Sequence, residues 1–423
     1  METPSSDYYG GHRPGNNLFA ESLVAVDLKT GKRKWHYQLV HHPIWNFDIT
    51  SAPVLADITV NGKTVKAVAV ATKQAFLYVF DRITGQPVWP MEERPEPKGD
   101  VPGEWYSPTQ PHPTKPPAYA RNYLKVPDDL VDFTPALRAE ALEVVKRYKV
   151  AETPFNPPIL GNVNGLLGAF GGGTATNWPG GGYDPETHIF YTQALNTGVI
   201  LRSLAPMPPG FSDIRYGSGV DGRSFREALG AGFGTYADDA ASPRRRPAAV
   251  APPAPPAESG APAAAAEGGG FPTVQGLPIV KPPYGVLAAV HLDRGDLLWQ
   301  VPHGDTPDVV RNHPALKSLT LPKTGQAGQS VGLVVTKTLV IVGDPQLSTA
   351  PNRPRGAFLR AYHKATGEQV GALWIPAVQS GSPMTYNVDG KQYILLAVSG
   401  GNYSGEYIAF SLPRGDTTTS QDH

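Results

Sequence analysis

The stretch Leu77-Tyr78-Val79-Phe80-Asp81-Arg82-Ile83-Thr84-Gly85, with Trp89 following, decides the fold because the chain repeats it. Leu23–Gly31 leads in the same way to Trp35, Leu287–Gly295 to Trp299 and Leu359–Gly367 to Trp374. Each copy reads as an apolar strand, a polar step, a turn closed by glycine, and a tryptophan. The glycine supplies the positive φ of a tight hairpin. An Asp ahead of the turn, as Asp27 and Asp81 stand, can accept from turn amides. The tryptophan opens the next strand and can lie flat between neighbouring sheets. Units of this kind stack radially as the blades of an all-β propeller.

Composition agrees. At 423 residues the chain exceeds one ordinary core, so several domains or a repeat array is expected. Only 17% of residues are charged, while Gly numbers 46 and Pro 45, a mixture that favours short strands and long connections. Lys plus Arg balances Asp plus Glu at 37 each, so no electrostatic footprint calls for a nucleic-acid partner. The absence of cysteine excludes disulfides, thiolate catalysis, Cys-ligated zinc and a c-type haem. No apolar run approaches the roughly 20 residues of a membrane span, and Met1–Asp7 lacks the regions of a signal peptide.

Between the repeats the chain is less regular. The glycine-rich run Gly172–Gly182 leads through Tyr183-Asp184-Pro185 into a strand at Ile189–Ala194, read as a further blade. A helix is expected over Thr134–Tyr148: Thr134 can cap it, Pro135 suits its first turn, and Leu137, Ala141, Val144, Val145 and Tyr148 share a face. Ala237–Gly270 is low in complexity, rich in Ala and Pro, and is expected to be a disordered surface insertion. The glycines of Gly161–Gly173 lack the Lys-Ser/Thr of a phosphate-binding loop. His41 and His42, taken as neighbours in a strand, point to opposite faces and suit packing better than metal.

The repeat ending resembles the tryptophan-docking pattern of quinoprotein dehydrogenases, and five further segments carry the likeness in family order. Asp7–Leu18 resembles the loop before their central blade. His41-His42-Pro43-Ile44-Trp45-Asn46-Phe47-Asp48 resembles the catalytic segment of the membrane-bound glucose dehydrogenase branch. Lys73-Gln74, Ser107–Pro111 and Gly171–Trp178 follow. The resemblance implies an eight-bladed propeller of which residues 1–423 supply about half, the partner being the missing N-terminal half. It implies pyrroloquinoline quinone (PQQ) as cofactor, with Ca²⁺ or Mg²⁺, a sugar or alcohol substrate and ubiquinone as acceptor. It also implies a periplasmic or periplasm-facing, membrane-associated location. Gly400-Gly401-Asn402 stands where relatives show Gly-Gly-His, a departure on the quinone side.

Such chemistry needs a base for the hydroxyl proton and a cation or donor beside the quinone oxygen that accepts charge. The resemblance gives the second role to Lys73, placed between the apolar runs Ala67–Ala71 and Ala75–Phe80, and sets Asn177 and Trp178 beside the cofactor. The position after Trp45, an aspartate in relatives and their base, is here Asn46, an amide that cannot take a proton. Asp48 keeps a carboxylate two residues on, and on a strand it would share a face with Asn46. Asp48 is therefore the expected base, with Asn46 as a cofactor and metal ligand. The alternative is a propeller without catalysis, serving as a binding or assembly module.

Overall fold

The structure is a computed structural model. It describes residues 1–412 except 174, 198, 209, 211, 221–222, 225–271 and 401–402. The expected insertion at Ala237–Gly270 lies outside the described residues.

Among the described residues, five antiparallel sheets stack in chain order, and smaller two-stranded ones, such as Met91–Pro95 with Thr109–Pro113, lie in the connections. Sheet I pairs Ser22–Val26 with Arg33–Gln38. Sheet II comprises Val54–Val60, Lys63–Ala71 and Leu77–Asp81. Sheet III has four strands, Gly181–Asp184, Ile189–Leu195, Gly285–His291 and Asp296–Pro302. Sheet IV has four as well, Leu333–Val335, Leu339–Gly343, Ala357–His363 and Gln369–Ile375. Sheet V consists of Met384–Val388, Lys391–Gly400 and Tyr403–Ser411. The strand after the glycine-rich run is thus no separate blade. It completes sheet III with the third repeat, the two halves being parted by a long insertion.

Period-two patterning stacks the sheets. On Lys63–Ala71 of sheet II, Val68 and Val70 pack with Leu23 of sheet I, while Ala67 and Ala69 pack with Phe190 and Val286 of sheet III. On Gly285–His291, Val286, Ala288 and Val290 face sheet II, and Leu287 and Ala289 face Val340 and Val342 of sheet IV. Leu359 and Ile375 of sheet IV close on Leu396 and Val398 of sheet V. Each core lies between consecutive sheets, the arrangement of propeller blades.

The tryptophans make the joints between sheets. Trp35 lies on Gly85, where an added Cβ would fall 2.6 Å from the ring, and its indole N–H donates to the Arg82 carbonyl at 3.0 Å. Trp89 lies on Gly295, and Trp299 lies on Gly367 while donating to the Lys364 carbonyl at 3.2 Å. Three of the four repeat tryptophans thus dock on the glycine turn of the next repeat, while Trp374 of the last repeat lies against Gly356. Three copies also share a bulge at one place, between Ala25 and Val26, Ala289 and Val290, and Ala361 and Tyr362. Asp27 and Asp81 accept from turn amides as their positions suggested.

The excursions after sheet II and within sheet III build one lobe. Its sheet joins Tyr148–Lys149, Gly168–Gly172, Val199–Pro206, Tyr216–Val220 and Arg223–Ser224, with Ile159–Leu160 alongside. The helix runs Pro135–Val145 and starts where expected, with the Thr134 hydroxyl accepting from the Leu137 amide at 3.2 Å. It ends three residues early, and Tyr148 joins the lobe sheet instead. Leu137, Ala141 and Val145 are buried against Val274, Leu277 and Val280.

Candidate functional site

The site forms where the second repeat turns beneath the 41–48 segment. The strands of sheet II that end at Ala71 and begin at Leu77 are joined by a tight connection, with the Ala75 amide on the Thr72 carbonyl at 3.1 Å and Ala75 at φ +61°. Lys73 sits at its apex, yet it is 3% exposed. A lysine so buried must be paired or hydrogen-bonded. Its ammonium donates to Asn46 Oδ1 at 2.8 Å and to Asp48 Oδ2 at 3.0 Å.

The 41–48 segment is not a strand, which corrects the reason given for Asn46 and Asp48 sharing a side. His42 and Asn46 both adopt left-handed φ, +45° and +56°. The segment's backbone groups are met by side chains in place of a ladder. Gln110 accepts from the His41 amide and donates to its carbonyl, at 2.8 and 2.7 Å. Arg202 donates to the Trp45 carbonyl at 2.7 Å, and Glu21 accepts from the Phe47 amide at 2.9 Å. Asn46 Nδ2 donates to Asp7 Oδ2 at 3.1 Å. The kink at Asn46, together with these clamps, turns both polar side chains onto Lys73.

His42 is a packed residue. Its ring meets buried Glu104 at 2.9 Å and the Gly15 carbonyl at 2.7 Å, and Glu104 also holds the Gly10 amide. His41 pairs with Glu93 nearer the surface.

Asp48 is held on two sides, by Lys73 and by the Thr3 amide at 2.6 Å. Burial pushes its carboxyl up, but the Thr3 amide and the Lys73 ammonium outweigh that, so it lies below the usual carboxylate range. Glu21 goes the other way. Fully buried, it accepts from the Thr3 hydroxyl and the Phe47 amide, and its other oxygen has no partner. Burial pushes it up to about 8, against the pull of the Thr3 hydroxyl. One threonine thus links a carboxylate pushed down to a carboxyl pushed up. Neither Glu21 nor Arg202 stood out in the sequence.

The opposite wall is the loop ending in Asn177 and Trp178. It is tied to the lysine's own backbone, the Ala175 amide donating to the Lys73 carbonyl at 2.8 Å. Asn177 is buried; its side-chain oxygen accepts from the Trp178 amide and its carbonyl from the Ser51 hydroxyl. Trp178 leaves 51% of its surface exposed, beside Gly381. Asn46, Asp48 and Lys73 are therefore in direct contact, and Asn177-Trp178 joins them through the backbone.

A flat, anionic ortho-quinone fits these groups. Among the described residues two of the three ammonium donors of Lys73 are engaged, which leaves one for a quinone oxygen. Trp178 presents an open indole plane, and Lys73 is too buried for an ordinary surface role. For a hard cation the fit is partial. The Asn46 carbonyl has a lone pair beyond the one facing Lys73, but among the described residues no three His, Asp or Glu side chains converge on a metal position.

Comparison with known proteins identifies the family. Residues 1–394 match the family model described as PQQ, glucose/ethanol/alcohol dehydrogenase, beta-propeller domain. The chain is 26% identical to a quinate/shikimate dehydrogenase (quinone) of Acinetobacter baylyi, over 98% of its own length and 47% of the relative's. It is 27% identical to a quinoprotein glucose dehydrogenase of Escherichia coli, over 98% and 47%. With the glycerol dehydrogenase large subunit of Gluconobacter thailandicus it shares 28% over 97% and 51%. A crystal structure of quinohemoprotein alcohol dehydrogenase from Comamonas testosteroni superposes with a TM-score of 0.44 at 20% identity, over 90% of this chain and 39% of that one. The chain spans about half the length of the curated relatives it matches.

Proposed function

The chain belongs to the PQQ-dependent glucose/ethanol/alcohol dehydrogenase β-propeller family, and on that premise we propose that it carries the hydride-transfer site of an enzyme oxidising a sugar or polyol hydroxyl. The single observation behind this reading is the buried Lys73 ammonium, shared between Asn46 and Asp48 with one donor left over. The cofactor, when bound, supplies an electrophilic quinone carbonyl that accepts hydride from the alcohol carbon.

This chain's residues do the rest. Lys73 holds the cofactor and offsets charge that develops on its oxygen. Asn177 and Trp178 would form a wall beside it, Trp178 offering its exposed indole. Asp48 takes the hydroxyl proton. Its contact with Lys73 keeps it ionised but weakens it as a base. Lys73 can give its remaining donor to the quinone oxygen while Asp48 keeps its own hydrogen bond. Asn46 cannot take the proton, but its amide orients Lys73 and offers one oxygen to Ca²⁺. Electrons then pass to a quinone such as ubiquinone at a membrane, and we propose that the site faces the periplasm. Among the described residues no helix is long and apolar enough to cross one.

The test is direct. The complete gene product is mixed with PQQ and Ca²⁺, and dye reduction is followed with glucose, quinate and glycerol, the substrates in the relatives' names. Cofactor binding with turnover of one of them is expected. Binding without turnover of any hydroxyl substrate favours a non-catalytic module, and absence of binding ends the enzyme reading.

A further inference from the structure

We propose that Arg202 is a positioning residue that reaches from the inserted lobe and fixes the spacing between the two walls of the site. This rests on the reading above for its functional meaning, though not for its geometry. Arg202 lies on the lobe strand Val199–Pro206 and is 3% exposed. Its Nη2 donates to the Trp45 carbonyl at 2.7 Å, one residue before Asn46, and its Nη1 to the Gly172 carbonyl at 3.2 Å, at the root of the loop bearing Asn177 and Trp178. One rigid fork therefore holds a carbonyl of each wall.

Two further observations show a built position. A Cβ on Gly171 would fall 1.8 Å from Arg202 Nη1, so the guanidinium fills space that only glycine leaves free. The charge lies over the Phe47 ring at 5.3 Å and the Tyr8 ring at 5.8 Å. No carboxylate comes within ion-pair distance of it among the described residues, and its Nε has no acceptor. A buried cation held only by carbonyls and rings costs stability relative to an apolar side chain. Its two carbonyl partners are what it secures in return.

The lysine variant separates geometry from charge, because it keeps the cation and loses the fork. Arg202→Lys and Arg202→Gln are made in the complete gene product, and PQQ binding, kcat and KM, and amide hydrogen exchange are measured. Both variants are expected to weaken PQQ binding and lower kcat by about tenfold or more. Exchange at Phe47, Asp48 and Ala175–Asn177 should rise together, while sheets III and IV keep their protection. Normal binding and exchange in both variants overturns the proposal. So does a normal Arg202→Lys beside an impaired Arg202→Gln, which would make charge the essential property. An Arg202→Lys protein that fails to fold would also overturn it, in favour of a purely structural role. If wild type binds no PQQ, the function proposed above fails, and the exchange measurement still decides the role of Arg202.

Discussion

Two buried cations, Arg360 in sheet IV and Lys73 at the site, show how differently one protein can bury charge. Arg360 is enclosed by two carboxylates and a glutamine, on which it spends four of its five donors. It grips Asp344 with Nε and Nη2 at 2.5 and 2.8 Å, reaches Asp305 at 3.0 Å, and gives Nη1 to Gln369 at 3.1 Å. It projects from a regular strand, and Asp344 is fully buried. Lys73 instead sits in a tight connection, spends two of three donors, and shares its carboxylate with a threonine amide. Asp48 keeps about a fifth of its side chain exposed, and its neighbour Asn46 is backbone-strained at positive φ. A cation enclosed by two carboxylates and a glutamine holds a fold together. A cation on a partly exposed carboxylate, with a donor to spare, can hold something else.

Three substitutions test that contrast. Asp48→Asn should lower turnover by about 10²–10⁴-fold with PQQ binding retained; unchanged turnover would move the base elsewhere. Arg360→Met should do the reverse. It leaves Asp344 buried without a partner and should cost roughly 3–5 kcal/mol of stability in denaturant unfolding. Cofactor affinity in whatever remains folded should be unaltered. A loss of affinity without loss of stability would erase the distinction between the two cations.

Glu21→Gln probes the carboxyl behind the site. Glu21 keeps its proton up to about 8 when folded, against an ordinary value of 4.5. Between those pH values the unfolded chain has released the proton while the folded one retains it, so stability falls as pH rises, by about 1.4 kcal/mol per pH unit. Glutamine preserves the acceptor for Thr3 and Phe47 and removes the titration. The stability of Glu21→Gln relative to wild type should therefore climb steadily from pH 5 to 8 in thermal unfolding. Parallel curves would mean that Glu21 is already ionised.

The sequence displayed the sheets and the lysine more openly than the rest of the site. Glycine, tryptophan and period-two apolar runs act locally, so Gly85 and Trp35 could be paired by pattern alone. Lys73 stands out by its resemblance to the family lysine, and its flanking apolar runs, Ala67–Ala71 and Ala75–Phe80, support a buried position. The helix start was legible in Thr134-Pro135, but not its end, which the lobe sheet claims through Tyr148. The left-handed turn at Asn46 suits an asparagine, but its occurrence depends on distant clamps, and the strand rule that groups Asn46 with Asp48 does not apply there. Glu21 reads as a solvated residue ahead of a strand until Phe47 and Thr3 close over it. Arg202 lies 157 residues from Trp45, beyond the reach of any spacing argument.

The tryptophan-on-glycine joint has an evolutionary corollary. Trp35 meets Gly85 after 50 residues of chain, whereas Trp89 meets Gly295 only after an entire lobe has intervened. The contact is the same in both cases, because it depends on a ring and a turn and not on the length of chain between them. Closing a longer loop costs only logarithmically more. Such a joint lets new sequence accumulate between blades while the ring order of the blades survives. The lobe that now delivers Arg202 to the site could thus have been acquired without any blade losing its neighbour.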